Sequence, residues 1–140
     1  MNRIFEPIAK ELFEVESTLR AEFESCPVDR IREIGAHILS AGGKRIRPAL
    51  AILCAKALGC EARELIVVAA SLEMLHTASL MHDDVIDVGM TRRGLPTANA
   101  LWGNTLAVLV GDFMYTRAFE MLAQTGRLDV LEPSTHASNI

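Results

Sequence analysis

The sequence predicts one all-α domain. Three observations carry that expectation. Half of the 140 residues are hydrophobic, drawn mainly from Ala, Leu, Ile and Val, a palette suited to packed helices. Aromatic residues make up only 5%, few for a β-sandwich core. Apolar residues recur at helical spacing between Gly and Pro punctuation, with no β-type alternation and no repeat.

Residues 4–24 form the first expected helix, with Ile4, Ile8, Leu12, Val15 and Leu19 at helical spacing and acids between them. Pro27 suits a first helical turn, so 27–40 follows as a second helix, stopped by Ala41-Gly42-Gly43. Pro48 opens a third, to about Leu58, ended by Gly59. Residues 61–88 run without Gly or Pro until the end of a long helix. Its most apolar part, Leu65 to Met81, is interrupted by Glu73 and His76 and reads as a buried helix, not a transmembrane segment. The stretch GMTRRGLPT is a loop, and about 104–125 forms another helix, stopped by Gly126. The tail 127–140 is polar and weakly patterned.

A net charge of −4 gives no general reason to expect nucleic acid. Cys26, Cys54 and Cys60 form no CxxC pair and read as reduced thiols, and the N-terminus lacks a signal-peptide core. A cytoplasmic location is the expectation.

The chemistry concentrates in His82-Asp83-Asp84-Val85-Ile86-Asp87. On a helix, Asp87 lies about 40° and Asp84 about 100° from Asp83, so the three share one side. His76 falls about 20° from Asp83, and Leu72, Ser79 and Leu80 within about 60°. The expected feature is a cavity wall with a charged mouth and an apolar interior. Carboxylates at i and i+4 repel unless a cation bridges them. Mg²⁺ suits such a pair, since it takes one or two carboxylates and completes its shell with phosphate oxygens. The alternative is a solvated acidic helix end. The dipole disfavours acids at a helix C-terminus and argues against it.

Phosphate needs cations as well. Lys44, Arg45 and Arg47 sit on a glycine-loosened turn, and Arg92 and Arg93 follow the acids. Arginine forks match phosphate oxygens. Acids and two basic clusters around one apolar stripe imply a ligand with diphosphate at one end and hydrocarbon at the other.

The ordered set GGKRIRP, LHTASLMHDDVID, TRRGLPTANALWGN and LVGDFM resembles the trans-isoprenyl diphosphate synthases, or polyprenyl synthetases, of the long-chain octaprenyl type. The likeness spans about residues 30–125. It implies an antiparallel helix bundle of the isoprenoid synthase type. It implies a prenyltransferase that condenses isopentenyl diphosphate with an allylic prenyl diphosphate, uses Mg²⁺ and forms a homodimer. Carried over by position, Asp83, Asp84 and Asp87 match the first aspartate-rich motif, with Asp83 and Asp87 on the metal. Lys44, Arg47, His76 and Arg93 match isopentenyl diphosphate contacts, and Arg92 an allylic diphosphate contact. Ala78 and Ser79, one turn before Asp83, match the positions that set chain length, and both are small.

The remaining aspartates, Asp29, Asp112 and Asp129, form no second aspartate-rich motif, and the tail fits the family poorly. The expectation is therefore an incomplete N-terminal half, 1–140, inactive alone. The alternative is a non-catalytic interaction module that keeps a dimer surface. His82-Asp83 also suggests an HD-type phosphohydrolase, but His76 is too near to serve as its separate upstream histidine. His37 and His136 read as surface or capping residues. Asp112 either faces the same cavity or is a satisfied structural carboxylate. Met74, Met81, Met114 and Met121 read as core filler and Trp102 as a packing anchor.

Overall fold

The computed structural model describes residues 3–60 and 64–138. Seven α-helices and one two-stranded hairpin make up these described residues: α1 (Ala9–Glu24), α2 (Asp29–Ser40), α3 (Ile46–Ala57), α4 (Leu65–Ile86), β1 (Thr91–Arg92), β2 (Leu95–Pro96), α5 (Ala98–Trp102), α6 (Asn104–Gln124) and α7 (Leu128–Ala137). A 3-10 turn, Arg3–Ile8, precedes α1 and contains Pro7. Proline has no N–H to give an i−4 carbonyl, so the α-ladder starts later than the apolar spacing alone suggests.

Helix α4 is the hub. It packs most extensively on α6 and also contacts α3, α1 and α5. The core runs through Leu12, Val15, Leu19 and Phe23 of α1, Ile52 of α3, Ala70 and Met74 of α4, and Val110, Met114 and Leu122 of α6. The four methionines singled out in the sequence are all buried. By length and composition α4 would pass as a membrane span; here it is the central helix of the bundle. The part of the expected long helix at 61–63 lies outside the described residues.

Three boundaries differ from expectation. Val28 is extended and its carbonyl takes the first bonds of α2, from Ile31 and Arg32, so Pro27 stands outside that helix. The expected 89–97 loop contains a hairpin. Its turn residues, Arg93 and Gly94, both have positive φ, 54° and 82°, as a two-residue hairpin turn of matching twist requires. Strands of two residues are too short to show alternation. The tail forms α7 despite an internal Pro133. None of its residues is buried, and it lies against α6. Packing overrides propensity there.

Candidate active site

The Gly42–Arg47 turn is set by a buried ion cluster. Arg45 caps α3 with a left-handed backbone, φ 47° and ψ 40°, which costs a non-glycine residue about 1–2 kcal/mol. Its side chain returns into the protein. There Nη1 donates to Glu73 Oε1 at 3.0 Å, and Nε pairs with Glu16. Glu73 is 3% exposed and Arg45 8%. Burial works against the Arg45 charge, but Glu16 and Glu73 outweigh it and the pKa is raised. Arg45 is therefore no phosphate ligand, against the sequence expectation. It anchors the turn, and its neighbours Lys44 and Arg47 are left exposed.

The hairpin brings two more arginines. Arg92 forks onto Asp84: Nε lies 3.0 and 2.8 Å from the two carboxylate oxygens, and Nη2 lies 2.8 Å from Oδ1. Arg93 Nη1 donates to the carbonyl of Gly42. A Cβ on Gly43 would sit 2.5 Å from that nitrogen, so a side chain there would displace the tip of Arg93. His37 contributes as well. Its Nε2 lies 2.8 Å from the Pro96 carbonyl and its ring meets Trp102 edge-on at 5.2 Å. The expected surface histidine thus ties α2 to the hairpin.

Lys44, Arg47, His76 and Arg93, far apart in sequence, line one pocket with Gly43 and Glu73. Burial first, then Arg47, lowers the His76 pKa; Glu73 opposes this, and Arg93 and Arg92 add to it. The pocket shares Arg47 and His76 with an apolar trough between α3, α4, α6 and α7, walled by Leu50, Leu72, Leu75, Ser79 and Tyr115. The Ser79 hydroxyl donates to the His76 carbonyl at 2.8 Å, which leaves its methylene for the trough.

One expected chain-length position and one residue of the expected stripe lie elsewhere. Ala78 is wholly buried in the core, and only its neighbour Ser79 reaches the trough. Leu80 lines a separate cavity with His37, Met81 and Asp84. Sequence reading also missed the trough residues Leu50, Ala51, Cys54 and Leu75 and, on the far side, Tyr115, Ser134, Ala137 and Ser138.

Asp83 and Asp87 are exposed at the end of α4, whereas Asp84 is buried. Among the described residues no three His, Cys, Asp or Glu side chains converge on a metal-sized point. Two open carboxylates one turn apart suit a cation that completes its shell with phosphate oxygens, as Mg²⁺ does. His82 is committed to packing. Its ring stacks on Tyr115 at 5.7 Å and rests on Gly111, where a Cβ would sit 2.3 Å from Nε2. Asp112 lies 3.4 Å from His82, with its side chain 61% exposed. It is a surface partner of that histidine and does not line the trough.

Comparison with known proteins places this geometry. The octaprenyl diphosphate synthase of Escherichia coli is 45% identical over 140 residues, which cover all of this chain and 43% of that protein. A nonaprenyl diphosphate synthase of Rhodobacter capsulatus is 42% identical over 130 residues, 40% of its length. Among solved structures, a decaprenyl diphosphate synthase from Rhodobacter capsulatus superposes with a TM-score of 0.93 at 40% identity, covering 98% of this chain and 42% of that one. A polyprenyl synthase from Caulobacter crescentus, complexed with calcium and isoprenyl diphosphate, gives 0.94 at 34% identity, again 98% and 42%. The chain thus spans less than half the length of these relatives. The family model for polyprenyl synthetase matches residues 28–139, a range that includes most of the polar tail. The chain belongs to the polyprenyl synthetase family.

Proposed function

We propose that the chain is the N-terminal part of an isoprenoid synthase domain. Its activity is Mg²⁺-dependent condensation of isopentenyl diphosphate with an allylic prenyl diphosphate to a long-chain product. The observation that carries this reading is the junction of the two cavities. A pocket walled by Lys44, Arg47, His76 and Arg93 shares Arg47 and His76 with an apolar trough beside Ser79. Such a site takes a diphosphate at one end and a hydrocarbon at the other.

The roles follow from the chemistry of each side chain. Lys44, Arg47, His76 and Arg93 hold the diphosphate of the isopentenyl substrate, Arg47 and Arg93 by their forks and Lys44 as a mobile point charge. Arg92 meets the allylic diphosphate. Asp83 and Asp87 would hold Mg²⁺, which would supply positive charge to the departing diphosphate. As the allylic C–O bond breaks, the pair leaves with oxygen. The isopentenyl double bond attacks the allylic carbon, and a proton is then lost. The apolar trough excludes water from the cation. Long-chain relatives and the small Ser79 support a long product.

The partner proposed is a second copy of the chain. Leu101, Val108 and Leu109 on α5 and α6 are exposed at 49%, 37% and 56%, an apolar face suited to association. The location proposed is the cytoplasm.

The test joins residues 1–138 to the C-terminal remainder of the E. coli octaprenyl diphosphate synthase. The chimera elongates farnesyl diphosphate with isopentenyl diphosphate and Mg²⁺, Asp83→Ala abolishes this, and the 140-residue chain alone shows negligible turnover. A folded chimera without activity, or one indifferent to Asp83→Ala, refutes the assignment.

A further inference from the structure

The three aspartates at the end of α4 do not share one environment. Asp83 and Asp87 stand open, while Asp84 is 8% exposed. We propose that Asp84 acts as a positioning residue, holding Arg92 in the plane from which it meets the allylic diphosphate. The inference rests on the diphosphate reading above.

Both Asp84 oxygens are occupied. They take three hydrogen bonds of 2.8–3.0 Å from Arg92. This fork is the first cause of a raised Arg92 pKa, with the nearby Asp83 and Asp87 charges adding to it. The backbone closes over the carboxylate. A Cβ on Gly89 would come within 3.0 Å of Asp84 Oδ1. Asn99 Nδ2 donates to the carbonyls of Asp84, at 3.3 Å, and Gly89, at 2.9 Å. A metal ligand must present its lone pairs to open space. Those of Asp84 face a guanidinium, and turning them outward would leave that cation without its partner.

The donor count gives the consequence. A guanidinium has five N–H groups. The fork uses Nε–H and one N–H of Nη2. Both N–H groups of Nη1 and one of Nη2 remain, on a side chain that is 38% exposed. Asp84 thus fixes the guanidinium plane and leaves the outer edge for phosphate. The rotamer freedom of Arg92 is lost on folding and not on binding.

The test titrates the 140-residue chain by calorimetry with farnesyl thiodiphosphate at fixed Mg²⁺, and then with Mg²⁺ at fixed analogue. Asp84→Asn should weaken analogue binding about tenfold, the loss of one charge-assisted fork, and keep the Mg²⁺ midpoint within about twofold. On top of Arg92→Ala it should add nothing. Asp83→Asn should move the Mg²⁺ midpoint. Without any ligand, the Arg92 Nε–H resonance should be protected from exchange in the wild type and lose that protection in Asp84→Asn, with backbone amide signals otherwise kept. Should the Asn variant unfold, Asp84→Glu keeps the charge, misplaces Arg92 and should give the same pattern. An Asp84 variant that moves the Mg²⁺ midpoint as far as Asp83→Asn, or whose loss adds fully to that of Arg92→Ala, overturns the inference and leaves the diphosphate reading standing. A wild-type chain that binds no analogue refutes that reading, and the inference with it.

Discussion

On one face of α4, His76 and Ser79 border the pocket and the trough, and Asp83 stands open beyond them. Glu73, Ala78 and Asp84, by contrast, are held by the protein's own groups: the two acids by ion pairs to arginine, Ala78 by the core. The two sets interleave, and in two cases the contrasting residues are chain neighbours: Ala78 beside Ser79, Asp84 beside Asp83. Arg45 and Arg47 repeat the contrast on the facing turn, the first buried on two glutamates and the second exposed. Charge and motif membership do not distinguish them. Burial and the identity of the partner do. The closed set fixes positions, and the open set is left for a ligand.

The contrast should be largest in stability. Glu73→Ala leaves the buried Arg45 guanidinium with Glu16 alone, and removing one partner of a buried ion pair costs up to about 3–5 kcal/mol. Asp87→Ala, on the open side, should change stability by no more than about 0.5 kcal/mol. Urea unfolding followed by circular dichroism measures both. Similar midpoints for the two variants would erase the distinction.

The next effect separates neighbours. Ala78 is 0% exposed, so Ala78→Phe overpacks the core at about 1–3 kcal/mol or more. Ser79→Phe should spare stability and fill the trough. In the active chimera it should shorten the product, as read by chromatography. A long product from Ser79→Phe, or normal stability for Ala78→Phe, would put the boundary between the sets elsewhere.

A smaller effect is linked to pH. Burial and the surrounding arginines hold His76 below its ordinary value of 6.5. As pH falls below that value the unfolded chain binds the proton more readily, so this residue lowers stability in acid. A bound diphosphate brings negative charge to the same ring and raises its pKa. Isopentenyl diphosphate binding near pH 6.5 should therefore take up protons. Calorimetry in buffers of different ionisation enthalpy measures the uptake, and His76→Gln should reduce it. Equal uptake in both proteins would place His76 outside the ligand's reach.

The smallest effect concerns Lys44, an exposed side chain. Lys44→Ala should weaken isopentenyl diphosphate binding by about threefold, against about tenfold for Arg47→Ala, whose fork it cannot replace. Equal losses would remove the difference in role.

The long helices were legible because their apolar residues repeat over many turns. The hairpin at 91–96 was not, since two-residue strands carry no period. Helix α7 was hidden by Pro133 and by the absence of any buried side chain. At the site, Lys44, Arg47, His76 and Arg93 could be proposed as a group from the resemblance. Arg45 could not be told apart from them. Its partners Glu16 and Glu73 lie 29 and 28 residues away, and nothing local announces them. Helical angles placed Ser79 and Leu72 with His76 on the trough side, but they gave no account of Leu80, whose neighbours come from α2 and the hairpin. The tail supplied the far wall of the trough because tertiary packing, and not local pattern, brings Ser134 and Ala137 there.

Methyl-resolved NMR of the 140-residue chain tests the central claim most directly. Farnesyl thiodiphosphate and Mg²⁺ are added to protein labelled at its leucine and alanine methyls. The account predicts shifts at Leu50, Ala51, Leu72 and Ala137, which line the trough. It predicts little change at Ala69, Ala70, Ala78 and Ala118, which are closed in the core. Shifts concentrated at the second set, or none at the first on saturation, would contradict it.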